Sequence, residues 1–178
     1  MKQSKIISYV FSGESSTEPV SLTDTKAHLY IDSGNTDFDA YLSTTQNLIK
    51  LCREYIERIT GRSLIDRTVT LYVQYESEFG IPFGPTITLT SAAIWTSAGT
   101  YETKTVNSDY EFENGRFISY GGCQRWKLVY TIVAVVPHGL KMATLNEIAK
   151  RFEHRGDEVQ VLDTNDLIIP YKDLEWLV

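Results

Sequence analysis

Between Phe38 and Ile59 large apolar residues recur every three or four positions: Phe38, Leu42, Leu48, Ile49, Cys52, Tyr55, Ile56 and Ile59, with Thr45 completing the stripe. That period predicts one long helix with a single buried face. Thr36 is placed to cap it, and Asp37 and Asp39 complement the positive end of its dipole. Gly61 closes it, because glycine takes the positive φ of a C-cap without a steric cost. This helix is expected to anchor the fold, each fully buried side chain on the stripe contributing roughly 1.5–3 kcal/mol before entropy is subtracted.

A shorter helix precedes it in PVSLTDTKAHLYID, where Ser21 is the cap, Asp24 stands in the capping-box position, and Leu22 and Leu29 mark the buried side. Asp32, Ser33, Gly34 and Asn35 are expected to stop it. After Pro137 a helical period returns in HGLKMATLNEIAKRFEHRG, with Met142, Leu145, Ile148, Ala149 and Phe152 as its stripe and Gly156 as its end. The middle of the chain follows a different rule. Val69, Leu71, Val73 and Tyr75 alternate with Thr70, Tyr72 and Gln74, which is the period of a half-buried strand. PTITLTSAAIW and QRWKLVYTIVA supply further strands, the latter with Trp126, Leu128, Tyr130 and Ile132 on one face. Asn114-Gly115 in DYEFENGRFISY specifies a two-residue type I′ hairpin turn that sets Glu113 opposite Arg116 and Phe112 opposite Phe117.

These patterns predict an α+β fold. A mainly antiparallel helical framework of short helix, long helix and C-terminal helix would carry an inserted antiparallel β-subdomain. The boundaries read as a flexible N-terminal segment over 1–18, a helical core from 19–63 and 137–156, a β insert over 64–136 and a C-terminal tail over 157–178. At 178 residues a single core is expected.

Chemistry is scarce in this sequence. His28, His138 and His154 are dispersed, and no metal-ligand spacing accompanies them. Cys52 and Cys123 are too few for a disulfide scaffold, and Cys52 falls on the apolar stripe as a small hydrophobe. Gly121-Gly122 fits no phosphate-binding loop, no nucleophile motif occurs, and acidic pairs such as Asp157 and Glu158 read as solvated. The expectation is therefore a protein that is not an enzyme, with no catalytic, metal or cofactor-binding residues and no cofactor. A net charge of -6 and a pI of about 5.1 argue against tight nucleic-acid binding and suit a surface that lets DNA pass. The longest apolar run, Ile132 to Pro137, falls far short of the roughly 20 residues a bilayer needs, so no membrane association is expected. The plentiful aromatics leave one alternative open, a carbohydrate- or protein-binding β module without catalysis, with Trp95 and Trp126 as its exposed platform.

Taken in order, EPVSLTDTKAHLYID, DFDAYLSTTQNLIKLCREYIERITGRSLI and VPHGLKMATLNEIAKRFEHRGD resemble the head–tail connector family of tailed bacteriophages, also called head-completion or adaptor proteins. Thr60-Gly61-Arg62-Ser63-Leu64, Arg151 to Arg155 and Leu167-Ile168-Ile169-Pro170-Tyr171 carry the likeness, whereas the β insert and the acidic Asp173-Leu174-Glu175-Trp176 depart from it. The resemblance implies a virion structural protein, made in the host bacterial cytoplasm and placed at the virion neck. Roughly twelve copies would form a cyclic ring on the portal, with heterologous contacts between neighbours. Its partners would be its own copies, the portal protein and a tail or second head-completion protein, with DNA only passing through the channel. On this reading Leu167, Ile168, Ile169, Tyr171, Leu174, Trp176 and Leu177 form a partner-docking tail, and Arg62 lies at a subunit boundary.

Overall fold

The computed structural model describes residues 5–45, 47–75, 78–84, 86–121, 124–155 and 168–171. Its contacts divide the chain into two compact units, Met1–Ser15 with Ile65–Val135, and Ser16–Leu64 with Val136–Val178. Among the described residues strands predominate, eight of them in two antiparallel sheets against three short α-helices. The expected helical framework with an inserted sheet is overturned, and the fold is mostly β. Two local causes account for the difference, one at the N-terminus and one inside the long helical stripe.

The first is β1 (Lys5–Ser12), which forms where a flexible segment was expected. It pairs antiparallel with β2 (Arg67–Tyr75), from Lys5 opposite Gln74 to Ser12 opposite Thr68, with one irregularity between Ile6 and Ser8. Its β-branched and aromatic residues favour a pleated surface once a partner strand is available. The remaining strands are β3 (Glu78–Gly80), β4 (Ile87–Trp95), β5 (Tyr101–Thr103), β6 (Tyr110–Glu113), β7 (Arg116–Ser119) and β8 (Gln124–Ile132). The large sheet runs β1-β2-β8-β4-β5 and the small one β3-β7-β6. Val69, Leu71 and Val73 of β2, and Trp126, Leu128, Tyr130 and Ile132 of β8, are buried as their alternation requires.

The hairpin has the expected register, with Asn114 at φ 51 and Gly115 at φ 77 making the turn. Phe117 stacks on Tyr110 at 4.9 Å and meets Trp126 edge-on at 5.0 Å, so the small sheet covers the large one with aromatic rings. Arg116 does not pair with Glu113 but reaches Glu78 on the other neighbouring strand. Asp66 gathers the chain where it enters and leaves this unit. Its carbonyl accepts the Ser15 amide at 2.8 Å and its Oδ1 accepts the Ala134 amide at 2.7 Å.

In the other unit, α1 (Leu22–His28) is capped by Ser21, and the capping box with Asp24 is complete. It ends earlier than the turn residues suggested. The Tyr30 amide reaches the Ala27 carbonyl and the Ile31 amide that of Lys26, a Schellman arrangement with Tyr30 in the left-handed position at φ 57. The expected long helix is two pieces, a π turn over Ala40–Thr44 and α2 (Leu48–Thr60). The hydroxyls of Ser43 and Thr44 donate to the carbonyls of Asp39 and Ala40, competing with the helical ladder. Asn47, at φ 45, restarts the helix by accepting the Lys50 amide on its side chain. Leu42, Leu48, Ile49, Cys52 and Ile56 are buried nonetheless, packing with Leu145 and Ile148 of α3 (His138–Glu153) and with Leu64 and Leu140.

Arg53, which the stripe had left on no face in particular, is 1% exposed. Burial pulls its pKa down, but the carboxylates of Glu57, Glu18 and Glu54 outweigh that and raise it overall. Its Nε donates to Glu18 at 2.8 Å and its Nη1 to Glu57 at 2.7 Å. Glu57 also accepts the Leu64 amide at 2.7 Å, fixing the turn that leaves α2.

Arg53→Ala should cost about 1–3 kcal/mol in urea unfolding because it leaves the half-buried carboxylates of Glu18 and Glu57 without their cation, while Lys50→Ala, at a half-exposed side chain, should stay within about 0.5 kcal/mol. The Cys52 thiol is pushed up to about 12 from an ordinary 9.0, chiefly by burial. A raised folded pKa means stability that is complete below about pH 9 and is lost as the pH climbs toward 12. Unfolding free energy should therefore fall by up to about 1.4 kcal/mol per pH unit in that window, and Cys52→Ala should flatten the slope.

Candidate interaction surfaces

Arg62 follows Gly61, whose φ of 69 ends α2. It is half-buried, its Nε is enclosed with no hydrogen-bond partner, and it forms no ion pair among the described residues. A guanidinium with an unmet donor, only partly open to water, suits a carboxylate or carbonyl brought by another chain. Of the tail, Ile168 is fully buried against Ile56, Leu64, Leu140 and Ala143, and Tyr171 packs on the same cluster. Ile168 and Tyr171 thus lie on their own unit. Ile169 opens the short 3₁₀ turn through Tyr171, and Leu167, Leu174, Trp176 and Leu177 lie outside the described residues.

Gly139 permits this docking. A Cβ at that position would lie 2.9 Å from the Tyr171 hydroxyl and 3.0 Å from its ring, closer than side chains tolerate. The constraint is one of close approach and not of a special φ.

In the β unit, the two tryptophans of the carbohydrate alternative have different fates. Trp126 is buried against Tyr110 and Phe117. Trp95 is exposed, but Tyr101 meets its ring at 5.0 Å and the Arg125 guanidinium lies 5.5 Å from its centroid. Sugar stacking needs a free aromatic face, and the Arg125 guanidinium lies over one face of this ring. An open pocket of about 290 Å³ lies nearby, lined by Ile94, Lys104, Asp109, Tyr120, Gln124 and Trp126, and the buried Trp126 Nε1 has no hydrogen-bond partner. No group of three metal-ligating side chains comes together among the described residues, and no helix among them is long and apolar enough to cross a membrane.

The most apolar exposed strand is β1, where Ile7 is 40%, Tyr9 49% and Val10 57% accessible. Tyr9, Phe11 and Phe83 form a ring cluster with centroids 4.9–5.2 Å apart, and Arg67 lies over Phe11. On the helical unit Tyr30 is 97% exposed on a loop held by the buried Lys26, whose ammonium donates to the Ser33 carbonyl and to Asp39.

No protein-family model matches this sequence, and no curated protein matches it significantly. Solved structures do. A chain in "Neck of empty GTA particle computed with C6 symmetry" superposes with a TM-score of 0.69 at 18% identity, over 92% of this chain and 95% of that one. The fold is that of a gene transfer agent neck chain. A chain in "Virion of native gene transfer agent (GTA) particle" gives 0.63 at 19% identity over 91% and 94%, and one in "Neck of native GTA particle computed with C12 symmetry" gives 0.58 at 18% over 77% and 86%.

Sequence reading missed β1 and Tyr30 as surfaces. KIISYVFS carried a strand signal in its β-branched and aromatic content, but its strand period is blurred by the irregularity at Ile7. Nothing in the local pattern marks Tyr30, which occupies a place where glycine is usual. Gly139→Ala should leave the circular dichroism of α3 intact yet speed amide exchange at Tyr171 by about tenfold or more, as measured by hydrogen–deuterium exchange.

Proposed function

We propose that this chain is a structural protein of the neck of a phage-like particle, a head–tail connector whose copies form a ring on the portal and join the filled head to the tail. The observation that carries the reading is agreement in fold over 92% of this chain and 95% of a neck chain from a gene transfer agent particle. Its independent support is the collinear resemblance of the helical segments to connector proteins. Those necks were computed with C6 and C12 symmetry, and a ring of copies is the arrangement cyclic symmetry requires.

On this reading the protein is non-catalytic. Its partners are its own copies, the portal and a second neck or tail protein. The net charge of -6 lets DNA slide through the channel without being held. Arg62 sits at the boundary between copies, and the end of the chain beyond Tyr171, with Leu174, Trp176 and Leu177, docks on a partner.

The reading is tested by adding the purified full chain to portal-bearing heads that lack neck proteins and imaging the portal vertex. Ring density beneath the portal is expected, and heads that stay bare at permissive salt and concentration would sink the proposal. Removing residues 172–178 spares Ile168 and Tyr171, so it should leave thermal stability unchanged while abolishing completion of particles.

A further inference from the structure

Sheet edges expose unpaired backbone donors and acceptors, and natural proteins blunt them with short strands, charges or proline. This chain treats its edges unequally. The outer strands of the small sheet are only three and four residues long and carry Glu78, Glu111 and Glu113. On the large sheet, β5 is three residues long, carries Glu102, and covers only Ala93–Trp95 of β4. The rest of that edge, Ile87 to Ser91, has neither charge nor proline. The opposite edge is β1, eight residues long, with no proline, one charged residue at its start, and Ile7, Tyr9 and Val10 open to solvent. Two edges without proline and nearly without charge therefore bound one sheet, each interrupted by a single register shift, between Ile6 and Ser8 in β1 and between Leu89 and Ser91 in β4.

Their directions are complementary. β1 runs antiparallel to β2, β2 to β8, and β8 to β4, so β1 and β4 point in opposite directions. If a second copy continues the sheet in the same orientation, its β1 meets the first copy's β4 antiparallel, the stronger and commoner pairing. The contact joins two different surfaces, so it is heterologous and can be repeated around a closed ring.

We propose that the partner of β1 is a second copy of this chain, whose β4 edge between Ile87 and Ser91 accepts it by strand addition, so that the large sheets of neighbouring copies form one continuous band. The proposal rests on the neck reading for the closure of the ring, and it names the contact that builds it. Tyr9 and Val10 then leave water, and the open backbone groups of both edges are satisfied.

An edge lysine is the device that natural sheets use against such pairing, so the test is Val10→Lys on one edge and Thr88→Lys on the other. Both sites are exposed, and each variant should melt like the unmodified chain. Sedimentation of the full chain over a concentration series, alone and on portal-bearing heads, should show assembly weakened about tenfold or more in either variant. Mixing the two variants restores one intact interface and should give a dimer and nothing larger. If Val10→Lys alone blocks assembly, β1 pairs with β1 about a two-fold axis and the proposal is wrong. If both variants assemble on heads as the unmodified chain does, the edge contact is wrong while the neck reading survives. An unmodified chain that remains monomeric even with heads overturns both.

Discussion

Enclosing a guanidinium at 1% exposure is costly unless its charge and donors are met, and Arg53 meets them with Glu18 and Glu57 from two separate parts of the helical unit. Glu18 precedes α1, Glu57 lies one turn further along α2, and Glu57 continues to the backbone at Leu64. Two stretches of chain distant in sequence, and the turn that follows α2, are thereby held in one geometry. Apolar packing around Leu48, Cys52 and Ile148 supplies bulk stability, but it is non-directional and would tolerate a slipped helix. The ion cluster is directional, and it fixes where α2 ends.

How far the sequence reveals the fold depends on the range of the interaction concerned. The capping box at Ser21 and Asp24, the type I′ turn at Asn114-Gly115 and the alternating faces of β2 and β8 were all legible, because neighbours a few residues apart decide them. The helix break at Asn47 was not. Ser43 and Thr44 tilt the balance against the ladder only through hydroxyl geometry that an apolar stripe conceals. β1 was illegible for a different reason, since its partner lies some sixty residues away at Arg67–Tyr75 and the N-terminal strand is stabilised only when that edge exists. These two omissions together turned a mostly β chain into an expected helical framework. The interaction surfaces were less legible still. Arg62 was read as a boundary residue, and what the fold adds is that its Nε is enclosed without a hydrogen-bond partner, whereas Ile168 was assigned outward and lies inward, because apolarity alone does not say whose core a residue joins.

Exposed apolar and aromatic groups, Tyr9 and Val10 on a strand edge, Tyr30 on a braced loop and Trp95 under Arg125, occupy separate places, while the described titratable groups converge on no common cavity with a metal-binding set. Edges left bare and edges carefully charged occur in one molecule, which makes the distinction a property of this sequence and not of sheets in general.

The chain passes between its two units three times, at Ser15 to Ser16, Leu64 to Ile65 and Val135 to Val136. Asp66, one residue past the second of these, accepts the amide of Ser15 at the first and that of Ala134 just before the third. Within the β unit the segments that follow β1, precede β2 and follow β8 are thus tied to one residue, so fraying at any one of these ends loosens hydrogen bonds that the other two share.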